Sequence, residues 1–217
     1  MNIEQARFNM IEQQIRPWDV LDASVLELLA IVKREDFVPS AYRALAFVDT
    51  EVPLPGGQCM LAPKVEARLL QELAVHKHER VLEIGAGSGF MAALLAHRAQ
   101  HVTTLESDPE LAELARTNLR RAGILNAAVV TADGSQGHAA EGPYDAIVLS
   151  GSVAEVPTAL LAQLKVGGRL AAIVGQLPVM RAVLLERSGE QGVERRVLFD
   201  TVAQRLRGFG EPTRFHF

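Results

Sequence analysis

Five short apolar runs recur from residue 80 onward: RVLEI (80–84), HVTTL (101–105), AAVVTA (127–132), YDAIVLS (144–150) and GRLAAIV (168–174). Helical periodicity fills the intervals near 89–98, over 109–122 and over 157–164, and another helix, Val65 to Ala74, precedes the first run. Near-continuous apolar strands alternating with helices imply a parallel sheet covered on both faces. After Gly175 the pattern changes: RAVLLER (181–187) and VERRVLFDTV (193–202) flank Ser188-Gly189-Glu190-Gln191-Gly192, which reads as an antiparallel hairpin. The expected fold is therefore α/β, doubly wound, with a mostly parallel seven-stranded sheet ending in that hairpin. A nicotinamide-binding fold would instead continue into a second βαβαβ half.

Ahead of the sheet, residues 1–63 read as a helical cap followed by a covering loop, and 64–217 as one compact unit. Ile3, Phe8, Met10, Ile11 and Ile15 share one helical face, and the run stops at Arg16-Pro17-Trp18-Asp19. Asp22 is placed to cap a second helix carrying Val25, Leu26, Leu29 and Val32. Residues 37–63 hold four prolines and two adjacent glycines, and irregular stretches of that length are often functional. Trp18 is expected to anchor packing of the cap.

The first apolar run leads into VLEIGAGSGF (81–90), where three glycines alternate on a strand-to-helix turn. Such a turn presents backbone N–H groups and a helix N-terminus to a ligand. The dinucleotide fingerprint G-x-G-x-x-G/A needs Gly or Ala at position 90, where Phe90 stands; the pattern present is acid-x-G-x-G-x-G, beginning at Glu83. Glu106 ends the second run, 21 residues after Gly85, the usual spacing for a carboxylate that accepts from ribose hydroxyls. Asp133 ends the third run and is placed to accept from an adenine amino group, with Gly134 allowing close approach. Three acids at the ends of three successive strands favour a nucleoside cofactor, S-adenosylmethionine before NAD.

Composition narrows the rest. A net charge of −4 gives no footprint for nucleic acid. One cysteine, Cys59, fits a reducing compartment and reads as a small buried hydrophobe without a neighbour to activate it. The most apolar stretch is broken by Gly175, Pro178 and Arg181, and no signal-peptide core is present, so a cytoplasmic protein without membrane partners is expected. No histidine spacing suggests a metal, and His76 and His78 read as solvated.

VLEIGAGSGF, TTLESDPEL, ADGS and YDAIVLS resemble the successive motifs of class I S-adenosylmethionine-dependent methyltransferases, whose fold is Rossmann-like. More narrowly, KREDFVP, VPLPGGQ, PYDAIVLS and QLKVGGRL resemble the protein-L-isoaspartate O-methyltransferases over about residues 9–175. The resemblance implies cofactor contacts from Met60, Leu61, Glu83, Gly85, Ala86, Gly87, Ser88, Glu106, Ser107, Asp133, Gly134 and Ser150. It also implies a loop, 53–63, covering the methyl group and the acceptor carboxylate of an isoaspartyl protein or peptide.

Three substrate-side elements depart from that family. Its loop reads G-Q-T-I-S-x-P with a catalytic serine, and Leu61 occupies the serine position, so no catalytic residue is assigned. Leu149-Ser150-Gly151-Ser152-Val153 replaces V-T-A-A-A, and Val197 to Val202 replaces V-R-F-V-P-L. Methyl transfer from a sulfonium to an ionised carboxylate needs no general base, and its acceleration comes from positioning. One missing hydrogen bond costs about 0.5–1.5 kcal/mol, or about 2.7–4 kcal/mol when aimed at the transition state. Isoaspartyl methylation is expected to be weak or absent, with cofactor binding intact. The alternatives are a methyltransferase with a different, more apolar acceptor, and a non-catalytic cofactor-binding sensor or adaptor.

Overall fold

The computed structural model describes residues 2–189 and 192–211. Two two-residue strands, β1 (Val52–Pro53) and β2 (Cys59–Met60), pair antiparallel. The main sheet holds β3 (Arg80–Ile84), β4 (His101–Glu106), β5 (Ala127–Thr131), β6 (Tyr144–Val153), β7 (Leu164–Gln176), β8 (Val179–Arg187) and β9 (Val193–Thr201). Its order is β5-β4-β3-β6-β7-β8-β9; the first five are mutually parallel, and β8 runs antiparallel to both neighbours. The seven-stranded α/β expectation holds. The antiparallel part starts earlier than the sequence suggests, because β7 turns back at Leu177-Pro178 to pair Gln176 with Val179. Of the expected β8–β9 turn, Glu190 and Gln191 lie outside the described residues.

Alternation along each strand divides the core. Leu82 and Ile84 face a cluster with Leu105, Ile147, Leu149 and Leu160, the last from α6 (Thr158–Ala162). Val81 faces the opposite, larger cluster, which includes residues of α2 (Ala23–Ile31), α3 (Pro63–Leu73) and α4 (Phe90–Ala96). A strand buried on both faces has no polar side, which is why β3 and β6 read as continuous apolar runs. Beside β4 and β5 lies α5 (Pro109–Arg121), capped by Asp108, whose carboxylate accepts the Glu110 N–H at 2.9 Å.

The cap departs from one regular helix. The α1 segment (Ile3–Met10) continues as a π-helical turn over Ile11–Ile15 and a tighter 3-10 turn over Arg16–Trp18, ending with Asp19 in the left-handed region. Pro17 lacks an N–H and closes the run, as its position suggests. Asp22 caps α2 by accepting the Ser24 N–H at 2.8 Å. Trp18 packs edge-on against Phe199 at 6.3 Å, with Lys64 Nζ 3.8 Å from its ring centre. The stretch expected to be irregular holds 3-10 turns at Ser40–Phe47 and Pro55–Gly57 as well as β1 and β2.

Candidate active site

β3 ends at Ile84, and the next two residues, Gly85 and Ala86, donate their N–H groups to the Leu105 carbonyl at 2.9 and 3.1 Å. This ties the turn to β4. Gly85 and Gly87 have φ of 93° and 51°, and a Cβ on Gly85 would stand 2.7 Å from Leu206 Cδ2. Glycine is needed at Gly85 for its conformation, and a Cβ there would also push the Leu206 side chain aside. Ser88 accepts from Asn118 Nδ2 through its carbonyl at 2.9 Å, which fixes the entry to α4.

Glu106, the last residue of β4, is buried. Its two oxygens accept the N–H of Gly87 at 2.9 Å and of Asp108 at 3.1 Å. The carboxylate is thereby oriented beside the glycine turn, with lone pairs left for further donors. Gly85, Gly87, Glu106, Ser107, Gly134 and Ser150 line one cleft, floored by Ile84, Leu105, Leu111 and Ala132. A Cβ on Gly134 would fall 2.3 Å from Ile84 Cγ2, so no larger residue fits there.

A second cleft adjoins the first, sharing Cys59, Gly85, Gly87 and Ser150. Met60, Leu61, Glu83, Ala86 and Ser88 line it, together with Glu66, Phe90 and Met91. Glu83 is wholly buried and accepts from Thr104 Oγ1 and Ser150 Oγ, each at 2.7 Å. Burial pushes its carboxyl up to about 8, against the pull of those two hydroxyls. Burial raises Glu66 to about 7, opposed by the Arg34 guanidinium beside it. The Leu61 carbonyl accepts from Arg34 Nη2 at 2.8 Å.

Eleven of the twelve residues anticipated for the cofactor thus line these two clefts. The other, Asp133, is exposed next to Gly134; its Oδ1 accepts the Ser135 N–H at 2.8 Å and lies against Gly208. Cys59 is half-buried, and burial pushes its thiol up to about 12, in keeping with an inert side chain. His76 and His78 are exposed and stack on each other, and among the described residues no cluster of His, Cys, Asp and Glu could hold a metal. Arg16 is exposed and pairs with Glu12 at 2.8 Å.

Sequence reasoning missed the roof. After β9 the chain crosses back over the end of β6: Ser152 donates its N–H to the Gln204 carbonyl at 2.8 Å, and the Leu206 N–H returns to the Ser152 carbonyl at 2.9 Å. Leu206 and Arg207 line the first cleft. Arg207 reaches Asp108 at 3.1 Å and the Gly56 carbonyl, while Gln204 Nε2 donates to the Gly57 carbonyl at 2.5 Å. This strap therefore clips the 55–57 turn over the glycine turn. AQRLRGFG has no periodicity, and only Leu206 and Phe209 could have marked it.

The residues suit S-adenosylmethionine. An oriented carboxylate matches a ribose diol, an apolar floor beside Gly134 matches a purine, and a buried acid at the glycine turn matches an amino-acid end. Residues 5–205 match the family model for protein-L-isoaspartate(D-aspartate) O-methyltransferase. The chain belongs to this family. A protein-L-isoaspartate O-methyltransferase from Methanoculleus marisnigri is 42% identical over 184 residues, 84% of each chain. One from Rhodopseudomonas palustris is 41% identical over 88% of each chain. In fold, the chain resembles a Plasmodium falciparum protein-L-isoaspartate O-methyltransferase solved with S-adenosyl-L-homocysteine: TM-score 0.80 at 20% identity, covering 95% of this chain and 99% of that one. No helix among the described residues is long and apolar enough to cross a membrane.

Proposed function

We propose that the protein transfers the methyl group of S-adenosylmethionine to the carboxylate of isoaspartyl residues in damaged proteins. The observation that carries this is the joining of two clefts: one fits a nucleoside, and the other lies under the 59–61 loop at the place where a methyl group would be presented. Gly85, Gly87, Glu106, Ser107 and Gly134 hold the nucleoside end, Glu83 and Ala86 face the amino-acid end, and Asp133 serves the adenine from the rim. The bound cofactor supplies an electrophilic methyl group. The protein positions an acceptor that is already ionised at neutral pH and keeps water from the reacting atoms.

Leu61 supports a second reading, a methyltransferase with a more apolar acceptor. Its side chain lines the second cleft where the family places a hydroxyl, and the nearby Ser150 hydroxyl is engaged by Glu83. Transfer of a radiolabelled methyl group to an isoaspartyl peptide tests the first reading. Labelling of a protein in a cell lysate, with the peptide left unlabelled, would select the second.

A further inference from the structure

Arg34 is among the largest wholly buried side chains of the protein, 1% exposed, and lies outside both clefts. A buried guanidinium is costly unless paired, and the Glu66 carboxylate, itself buried, supplies the pair. Neutralising the charge takes one arm of the guanidinium. The other arm, Nη2, donates at 2.8 Å to the Leu61 carbonyl, and the guanidinium carbon lies 5.1 Å from the centre of the Phe90 ring. One side chain thus touches three walls of the second cleft: the acceptor-side loop at Leu61, helix α3 at Glu66, and the first residue of α4 at Phe90.

The strap holds the loop at Gly56 and Gly57, four or five residues before Leu61, and Met60 and Leu61 are buried; Arg34 supplies the side-chain hydrogen bond at the Leu61 backbone itself. β2 is two residues long and pairs only with β1, and Ala62, the residue before α3, makes no side-chain cap. From this geometry we infer that Arg34 is a positioning residue for methyl transfer: it fixes the backbone at Leu61 against the helix that follows the glycine turn. The loop's distance from the cofactor is then set by a planar fork with two directed donors. A lysine ammonium would keep the charge opposite Glu66 but could not reproduce both directed bonds and the stacking on Phe90. This inference deepens the proposed function and rests on it only for the identity of the acceptor.

Cys59, the sole cysteine, lies two residues before Leu61 and reports on the loop without any acceptor. The test measures Cys59 alkylation by iodoacetamide well below the thermal transition, S-adenosyl-L-homocysteine affinity, and kcat and KM on an isoaspartyl peptide. It compares the wild type with Arg34→Lys and with the double variant Arg34→Met/Glu66→Met, whose apolar pair replaces the ion pair if the lysine form fails to fold. Expected in a folded variant are Cys59 alkylation at least tenfold faster, S-adenosyl-L-homocysteine affinity within about threefold of wild type, and a fall in kcat larger than the change in KM. Unchanged Cys59 reactivity in a folded variant overturns the inference. Failure of the wild type to methylate the peptide bears on the proposed acceptor instead and leaves the alkylation result to decide the role of Arg34.

Discussion

The Ser150 hydroxyl donates to Oε1 of Glu83 at 2.7 Å, joining the carboxyl end of β6 to that of β3 beneath the glycine turn. Thr104 holds the other oxygen from β4, so the buried carboxyl on β3 is gripped by one hydroxyl from each neighbouring strand. Both partners are neutral. The Glu66 and Glu106 carboxylates add repulsion to the cost of burial, and the carboxyl titrates at about 8.

That shift makes stability depend on pH with a definite sign. Between about pH 4.5 and 8 the folded protein keeps a proton on Glu83 that the unfolded chain has released, so stability falls as pH rises. The slope from one such group is at most about 1.4 kcal/mol per pH unit. Glu83→Gln should flatten the curve and make the cofactor-free protein relatively more stable at pH 8 than at pH 5. Urea unfolding across this range checks it; parallel curves for the variant and the wild type would contradict it.

Glu106 is held by two backbone N–H groups, so its carboxylate is already aimed before any ligand arrives. Glu106→Ala should weaken S-adenosylmethionine binding by about 1.5–3 kcal/mol, the range for hydrogen bonds to a charged group. Titration calorimetry on the folded variant measures this. An unchanged affinity would mean that the ribose is held elsewhere.

Leu61→Ser should raise transfer to an isoaspartyl peptide by less than tenfold. A serine would restore the hydroxyl, but the Ser150 hydroxyl nearby is committed to Glu83, and residues 149–153 and 197–202 depart from the family's pattern as well. Single-turnover rates with saturating cofactor decide the matter. A gain of a hundredfold or more would show that the leucine alone limits the reaction.

Arg7 and Glu35 form a second buried ion pair, between α1 and the turn that precedes Phe37. Glu35→Ala leaves the guanidinium with only the exposed Glu4 carboxylate at 2.5 Å. The expected loss is about 3 kcal/mol, the lower end for breaking a buried pair. A urea midpoint unchanged from wild type would argue against it.

The sheet was legible because its chemistry is local: strands buried on both faces must be apolar throughout, so 80–84 and 144–150 announced themselves. The glycine turn and Glu106 were legible because the needs of a backbone approaching a ligand are written in adjacent residues. Arg34 and Glu66 were not. In KREDF and PKVEARLL they look like ordinary surface charges, and their pairing depends on a contact between residues 32 positions apart. The π-helical turn at Ile11–Ile15 was hidden too, since apolar spacing cannot distinguish it from one more α-helical turn. The strap over the cleft was equally silent: two backbone hydrogen bonds to Ser152 and side-chain bonds from Gln204, Arg205 and Arg207 hold it, and polar residues in that order carry no pattern.

The strap also follows every other part of the groove in chain order. A nascent chain that has emerged through β9 already possesses every strand of the sheet, both glycine-turn carboxylates and the acceptor-side loop. It still lacks Gln204, Leu206 and Arg207, the residues that clip the 55–57 turn to Asp108 and β6. The walls of the groove are thus complete without the strap, and a chain cut after Thr201 would keep every strand of the sheet and leave the groove uncovered.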